Sequence, residues 1–259
     1  MTGDAEFNGS CQVCIIFPCY NEATRLNVPL FRTFLADSRD SRIVFVDDGS
    51  NDKTVEVLEE LCRGYENRAG VLRCGRNRGK AEAVRFGICH ALEQFQPEII
   101  GYWDADLATP LDSVRSFVNV LEERPTIEMV FGSRVKLLGR HVERRAIRHY
   151  LGRIFATVVS VVLRLPIYDT QCGAKLFRVT PHVKWVFAEP FLSKWVFDVE
   201  ILARYLSLYR GDSRQLEEVI YEYPLERWVD VAGSKVGPKD FVTAFVDIVR
   251  IQRRYLSRF

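Results

Sequence analysis

Asp104 and Asp106 stand two positions apart, directly after the apolar run 99–103. Carboxylates at this spacing, where a strand opens into a turn, can converge on one hard cation. Magnesium in proteins is commonly held by one or two carboxylates together with the phosphates of a substrate. Paired acids near a strand end are also common surface decoration, so the metal hypothesis depends on what surrounds the pair.

A second acidic segment, Asp-Asp-Gly-Ser at 47–50, follows the apolar run 43–46. Asp, Ser and Asn accept backbone N–H bonds in turns and at helix starts, which accounts for residues 50–52 as a turn and N-cap. One cap does not need four acceptors, so this explanation covers Asp48 less well. Asp48 is therefore a candidate acceptor for a nucleobase N–H, with Pro18 and Tyr20 as one wall of the site.

The loop 75–80 is rich in glycine and basic residues. A Walker loop has four residues between its first glycine and the Gly-Lys pair, followed by Ser or Thr. Here three residues fill that gap and Ala81 follows the lysine, which disfavours a P-loop NTPase. Lys80 and Arg76 remain candidate contacts of a phosphate or a base, the alternative being solvated charges at a helix start.

Cysteine and histidine chemistry has little support in the sequence. Cys11 and Cys14 form one Cys-x-x-Cys pair, but no second pair is spaced for a zinc site. Seven cysteines, an odd number, fit a reducing compartment better than a disulfide framework. None of the four histidines is paired with a Ser or Cys nucleophile in a recognisable motif, so a hydrolase triad is not indicated.

The first half of the chain alternates short apolar runs with segments of helical spacing, which is typical of an α/β fold. Strands are predicted at 13–17, 43–46, 71–74, 99–103 and 129–131. Helices are predicted near 24–37, 53–64, 80–95 and 111–123. This alternation implies a mostly parallel central sheet flanked by helices, with ligands bound beyond the carboxyl ends of the strands. The polar segments described above should therefore lie together.

The alternation becomes irregular after residue 134. The segment 134–153 carries seven lysines and arginines against one acid, Glu143, and is followed by the apolar segment 154–165. The tail 241–259 has helical apolar spacing and several arginines near its end. We expect a polar tail over 1–10, a domain over 11–237 and a basic amphipathic helix over 238–259. Within the domain, 11–134 is the expected nucleotide-binding half and 135–237 the acceptor half.

Charge and hydropathy exclude several classes of protein. The 259 residues include 36 basic and 34 acidic side chains, for a net charge of +2, so we expect no nucleic-acid partner. No run of eighteen apolar residues is present, and the first ten residues lack the basic and apolar regions of a signal peptide. These observations favour a cytoplasmic protein that is soluble or bound to a membrane surface.

Taken together, the motifs resemble those of the family-two glycosyltransferases of GT-A fold, and within them the dolichyl- or polyprenyl-phosphate sugar synthases. The resemblance extends from about residue 13 to 235. Its motifs are Pro-x-Tyr-Asn-Glu at 18–22, Val-Asp-Asp-Gly-Ser at 46–50, Asn-x-Gly-Lys at 77–80, Asp-Ala-Asp at 104–106 and Gly-Ser-Arg at 132–134. The segments 169–177 and 228–235 are similar to the members that use UDP-glucose, whereas the mannosyl relatives that use GDP-mannose usually differ at both.

The resemblance also implies roles for individual residues. The nucleotide sugar would be bound by Pro18, Tyr20, Asn21, Glu22, Val46, Asp48, Lys80, Asp104, Ala105 and Asp106. Asp104 and Asp106 would hold Mg²⁺ or Mn²⁺ and, with Arg134, would be catalytic. The acceptor phosphate would meet Arg134, Arg148 and Lys235. Mannosyl-type members often carry Gln as a metal ligand where this chain has Ala108, so Asp106 and water would have to complete the coordination.

The implied reaction is an inverting transfer of glucose from UDP-glucose to a polyprenyl phosphate. That acceptor is already anionic near neutral pH and needs little help from a general base. A hydroxyl acceptor would instead need a third carboxylate, for which Asp198 and Glu200 are candidates. Transfer of mannose from GDP-mannose and a non-enzymatic nucleotide-sugar-binding or membrane-docking module are further alternatives.

The lipid acceptor implies contact with a membrane. Segments 144–165 and 241–259 combine arginines with apolar residues and are expected to lie peripherally on the cytoplasmic face of a membrane. The alternative is that both segments pack on their own domain.

Overall fold

The computed structural model describes residues 11–143, 146–229, 231 and 238–257. The strands are β1 (Val13–Cys19), β2 (Ser41–Asp47), β3 (Ala69–Arg73), β4 (Ile99–Trp103), β5 (Met129–Ser133), β6 (His141–Glu143), β7 (Ala174–Arg178), β8 (Ile220–Pro224) and β9 (Arg227–Val229). The helices are α1 (Val28–Asp37), α2 (Thr54–Cys62), α3 (Lys80–Gln94), α4 (Ser113–Glu123), α5 (Ala146–Leu163), α6 (Pro181–Ala188), α7 (Phe197–Leu208), α8 (Ser213–Val219) and α9 (Pro238–Ile251). A π-helical turn, Gln252–Leu256, follows α9.

Seven strands form one sheet in the order β3-β2-β1-β4-β7-β5-β8, and β6 pairs with β9 in a separate ribbon. Strand β7 runs antiparallel to both neighbours, while the other pairings of the large sheet are parallel. Strands β1, β2, β4 and β5 are almost wholly buried because apolar clusters cover both faces of the sheet. The predicted α/β class with a mostly parallel sheet is confirmed.

All five predicted strands are present; β4 has the predicted bounds, and the ends of the other four are shifted. Strand β1 runs two residues further than predicted and includes Pro18. Because β4 pairs with β1 only as far as Ile16, Pro18 lies where the strand pairs with β2 alone, and its missing N–H is easily accommodated. Helix α1 begins at Val28 rather than near 24, since the Asn27 side chain accepts the N–H of Leu30 at 3.2 Å and caps the helix there.

Helix α3 packs close against the sheet, and a glycine permits this approach. A Cβ added to Gly87 would lie 2.5 Å from a methyl carbon of Ile16 and 2.8 Å from one of Val46. The first residue of α3, Lys80, is thereby brought to the edge formed by the carboxyl ends of β1 and β2.

The second half of the chain contributes β7 and β8 to the same sheet. Helix α7 is buried from Phe197 to Leu206 and contacts α5, α6 and α9. Within the described ranges, none of the helices combines the length and the apolar character needed to cross a bilayer.

Candidate functional site

The carboxyl ends of the parallel strands and the start of β7 meet at one edge of the sheet. Trp103, the last residue of β4, pairs with Ala174, the first of β7, so Asp104 lies beside Gly173. The Asp104 N–H donates to the Gly173 carbonyl at 2.8 Å. A Cβ on Gly173 would stand 1.8 Å from Oδ2 of Asp104, so only glycine fits beneath this carboxylate. The turn before β7 therefore forms the support of the acidic pair.

Two cations face the acidic pair. Nζ of Lys80 lies 2.5 Å from Oδ1 of Asp104, with both side chains about one-third exposed. A guanidinium nitrogen of Arg25 lies 3.6 Å from Oδ2 of Asp106, and the other lies 3.0 Å from Oε1 of Glu22. The carboxylates are thus partly neutralised by the protein's own side chains. Arg25 was not among the predicted site residues. Its position three residues after Glu22 is the only local feature of the sequence that points to it.

Burial and mutual repulsion shift the titration of these groups. Burial, and then the negative charge of Asp104, raise the pKa of Asp106 above its ordinary value. Burial alone would lower the pKa of Lys80, but Asp104 and Asp198 outweigh it and raise that pKa. The negative charge of Asp106 is thus offset only in part by Lys80 and Arg25.

The donor set fits a magnesium- or manganese-type ion. Oδ1 of Asp106 accepts the N–H of Ala108 at 3.1 Å, which holds the acidic turn closed, and Leu107 adopts a φ of 52° within it. Among the described residues, no group of three or more His, Cys, Asp or Glu side chains could hold a metal ion. Magnesium is commonly bound by one or two carboxylates, with substrate phosphate and water completing its coordination shell. Such an ion requires no third protein ligand.

The predicted base-binding residue Asp48 holds a loop in place. Its oxygens accept the N–H groups of Arg78 at 2.8 Å and Gly79 at 2.7 Å. Burial raises the pKa of Asp48, while these two hydrogen bonds act in the opposite direction. Asp48 therefore fixes the glycine-rich loop that leads into α3 and Lys80. Its predicted contact with a nucleobase would be a second role beside these loop contacts.

The motif 18–22 is anchored to the turn after β2. The Asn21 N–H donates to Oγ of Ser50 at 2.9 Å, and the Asn21 side chain accepts the N–H of Asn51 at 2.9 Å. Pro18, Tyr20, Asn21 and Glu22 are all partly exposed at the site edge.

Val46 is fully buried in the core beneath the site, as expected for an apolar residue in a strand covered on both faces. Its predicted contact with the nucleotide stays a prediction. Ala105 is also largely buried, at 6% exposure, so its side chain packs inward while Asp104 and Asp106 point to the edge.

Arg134 lies at the same edge but is bound to another residue. Its Nε and one terminal nitrogen donate to the two oxygens of Asp169 at 2.6 and 2.7 Å, and its guanidinium carbon lies 5.3 Å from the ring centre of Trp228. Burial would lower the pKa of Arg134, but Asp169 outweighs this and raises it. Arg134 is thus a fixed cation with one face on an indole ring. The Arg148 side chain and all of Lys235 lie outside the described residues.

The two candidate carboxylates for a hydroxyl acceptor are engaged elsewhere. Asp198 is paired with Lys175 at 2.5 Å, and the side chains are 5% and 1% exposed. Glu200 is paired with Arg204 at 2.7 Å, with side chains 0% and 2% exposed. Both carboxylates are therefore held inside the fold by buried cations. Lys175 was not among the predicted site residues, although a lysine next to Ala174 and Leu176 in a buried strand is a sign of a buried ion pair.

Comparison with known proteins places the chain in a family. Residues 14–185 match Glycosyl transferase family 2. A dolichyl-phosphate beta-glucosyltransferase of Saccharomyces cerevisiae is 31% identical over 263 residues, covering 93% of this chain and 74% of that protein. The human protein of the same name is 30% identical over 261 residues, covering 95% and 76%. One from Trichomonas vaginalis is 30% identical over 248 residues, covering 91% and 69%.

Solved structures show the same fold at low sequence identity. Glucosyl-3-phosphoglycerate synthase from Mycobacterium tuberculosis, crystallised with Mn²⁺, UDP-glucose and phosphoglyceric acid, gives a TM-score of 0.67 at 14% identity, covering 97% of this chain and 81% of that one. Mannosyl-3-phosphoglycerate synthase from Rubrobacter xylanophilus gives 0.63 at 17% identity, covering 95% and 74%. The expected GT-A fold and the resemblance drawn from the motifs are therefore confirmed. The chain belongs to glycosyl transferase family 2 and is a glycosyltransferase.

Proposed function

We propose that the protein transfers glucose from UDP-glucose to a dolichyl-type polyprenyl phosphate, with inversion at the sugar. The observation that carries this proposal is the convergence of Asp104, Asp106 and Lys80 at one sheet edge. It occurs in a chain that is 30–31% identical, over 91–95% of its length, to dolichyl-phosphate beta-glucosyltransferases.

Asp104 and Asp106 would bind the nucleotide-sugar donor through a metal ion. Asp104 and Asp106 would hold Mg²⁺ or Mn²⁺, which when bound neutralises negative charge on a diphosphate. Lys80 and Arg25 already face these carboxylates and are within reach of the same region. Pro18, Tyr20, Asn21, Glu22 and Asp48 would shape the base and ribose side, with Asp48 holding the loop that presents Lys80.

The acceptor side supports a phosphate nucleophile. A phosphate monoester is anionic near neutral pH and can attack without a strong general base. Asp198 and Glu200, the two carboxylates that could have served as a base for a hydroxyl acceptor, are each held by a buried cation. Arg134 offers a fixed positive charge near the acidic pair. Arg148 and Lys235 remain predicted contacts of the acceptor phosphate.

A membrane-facing surface would bring the lipid to this site. Helices α5 and α9 are adjacent, with the rings of Phe155 and Phe245 6.2 Å apart. Exposed apolar side chains occur on both: Ile154, Val161, Phe245, Val246 and Val249. Exposed arginines follow on α9 and its π-helical turn: Arg250, Arg253 and Arg254. Apolar groups beside cations suit an interface with anionic lipid. The seven cysteines are all free thiols, which suits the cytoplasmic side.

Radiolabelled donor transfer tests the proposal. The full chain would be incubated with polyprenyl phosphate and labelled UDP-glucose or GDP-mannose, with Mn²⁺, with Mg²⁺ or with EDTA. We expect label from UDP-glucose in an organic-extractable, acid-labile product that EDTA abolishes. Preferential use of GDP-mannose, or transfer only to hydroxyl acceptors, would overturn the proposed substrates. Failure to transfer from either donor would overturn the proposed donor and acceptor.

Sedimentation with liposomes tests the membrane surface. Val161→Asp and Val246→Asp each place a charge on the exposed apolar side chains of α5 and α9 and should reduce binding to vesicles that contain anionic phospholipid. Leu30→Asp, which alters an exposed leucine on α1, is the matched control. Binding that is indifferent to anionic lipid, or equally reduced by all three variants, would argue against this surface.

A further inference from the structure

Beneath the acidic pair lies a buried charged cluster formed by Lys175, Asp198 and Tyr102. Nζ of Lys175 donates to Asp198 at 2.5 Å, to the Thr170 carbonyl at 3.1 Å and to the Cys172 carbonyl at 2.7 Å. These three acceptors match the three N–H donors of an ammonium group. The Tyr102 hydroxyl donates to the same oxygen of Asp198.

An ion pair is an expensive choice at this position. The side chains of Lys175 and Asp198 are 1% and 5% exposed, and the ammonium lies among the rings of Tyr102 and Phe131, 5.5 and 5.6 Å from their centres. Removing two charges from water is costly, and well-packed apolar side chains are often as stabilising as a buried pair. What an apolar side chain cannot do is bind the carbonyls of Thr170 and Cys172.

Those two carbonyls belong to the turn that supports Asp104. The turn 170–173 ends at Gly173, whose carbonyl accepts the Asp104 N–H at 2.8 Å. The absent Cβ of Gly173 would overlap the Asp104 carboxylate at 1.8 Å. A small displacement of this turn would therefore move the Asp104 carboxylate directly, either by losing the hydrogen bond or by closing the gap.

We propose that Lys175 is a positioning residue for nucleotide-sugar binding. Anchored by Asp198 and Tyr102, it fixes the turn 170–173 and so sets the orientation in which Asp104 meets the cation and the diphosphate of the donor. This inference rests on the proposed function. It assigns Lys175 no contact with substrate.

Paired variants on one strand test it. Lys175→Met removes the ammonium, while Arg178→Met removes a cation from the same strand that donates to the carbonyls of Ile127 and Leu121, at the opposite edge of the sheet. Mn²⁺ affinity in the presence of UDP would be measured by electron paramagnetic resonance, alongside urea unfolding, KM and kcat. Residues that orient metal ligands typically change metal affinity about 10- to 100-fold. We expect at least a tenfold loss of Mn²⁺ affinity for Lys175→Met and none for Arg178→Met.

Two milder variants keep the test decisive should Lys175→Met fail to fold. Gly173→Ala places a Cβ against Asp104 without touching the cluster and should weaken Mn²⁺ binding. Tyr102→Phe removes only the hydroxyl donor to Asp198 and should weaken it less.

Unchanged Mn²⁺ affinity in Gly173→Ala and Tyr102→Phe, and in Lys175→Met where it folds, would overturn the positioning role of Lys175. The proposed function would still stand if UDP strengthens the binding of Mn²⁺ to the wild-type protein. A wild-type protein that binds Mn²⁺ no better with UDP than without it would overturn both.

Discussion

Two sets of ion pairs, one at the sheet edge and one around α7, use the same chemistry in opposite environments. At the edge, Lys80–Asp104 and Arg25–Asp106 have side chains that are 24–35% exposed. Around α7, Lys175–Asp198 and Arg204–Glu200 have side chains that are 0–5% exposed. Partly exposed pairs contribute about 0–1 kcal/mol and can be exchanged, whereas a buried pair is costly to break. A ligand can therefore replace one partner of the edge pairs, while the buried pairs hold the surrounding helices and strands in place.

Removal of a buried cation should have the largest effect. Arg204 donates to the carbonyls of Val186, Glu189 and Pro190 as well as to Glu200. Arg204→Met leaves that carboxylate buried and unpaired, so we expect the free energy of unfolding to fall by about 3–5 kcal/mol in urea titrations.

The control for Arg204→Met is Arg63→Met, which breaks an exposed pair with Glu60 at 2.7 Å. It should cost no more than about 1 kcal/mol. Equal costs for the two variants would erase the distinction between the sets of pairs.

Loss of a carboxylate at the edge should instead affect activity. Asp106→Asn removes a charge from the acidic pair, and we expect the initial rate of transfer from labelled UDP-glucose to fall about 100- to 1,000-fold, the loss typical when one stabilising group of a transition state is removed. Asp112→Asn, at an exposed aspartate paired with Arg227, should keep the wild-type rate. Near-normal turnover in Asp106→Asn would remove Asp106 from the proposed site.

Replacement of the Lys80 ammonium by a metal ion at Asp104 can be measured directly. Nζ of Lys80 lies 2.5 Å from Oδ1 of Asp104, so Lys80→Met should raise Mn²⁺ affinity in the absence of nucleotide, by up to about fivefold for a pair worth about 1 kcal/mol. The same variant should raise KM for the donor, because a cation near the diphosphate is lost. Lys53→Met, at an exposed lysine before α2, serves as the control. Lower Mn²⁺ affinity in Lys80→Met would contradict exchange.

The smallest effect concerns pH and the metal-free protein. The pKa of Asp106 is raised by burial and by Asp104, so the folded state holds its proton more tightly than the unfolded state. Stability should therefore fall as pH rises through the interval between the ordinary and the raised pKa. In EDTA, Asp106→Asn should be more stable than wild type above that interval and equal to it below. If the wild type were more stable than Asp106→Asn at every pH, the attraction of Arg25 would outweigh the effects of burial and of Asp104 on this carboxylate.

Local patterns accounted for the strands and helices of the first half of the chain and for the position of the acidic pair. Apolar runs ending in polar turns gave five strands correctly, because a strand covered on both faces must be apolar along its length. The shifted start of α1 was decided by a single cap at Asn27, which competes with periodicity. Domain boundaries and the roles of individual site residues remain predictions.

The partners of the charged residues could not be predicted locally. Arg25 meets Asp106 because β1 and β4 lie side by side in the sheet, so the turns that follow them share one edge. Lys175 meets Asp198, 23 positions away, because β7 is inserted antiparallel between β4 and β5 and the start of α7 lies against β4. Val46 was assigned to the ligand because its motif includes it, whereas both faces of β2 are covered, so a side chain on either face of this strand lies in the core.

The sequence by itself determined the α/β class, the family and the strand end that carries the acidic pair, since these follow from residue types at short spacing. Only the tertiary structure decided which cation faces which carboxylate, and which of those pairs are buried. Coulombic pairing and desolvation depend on distance and surroundings in space, and these exist only once distant segments have packed together.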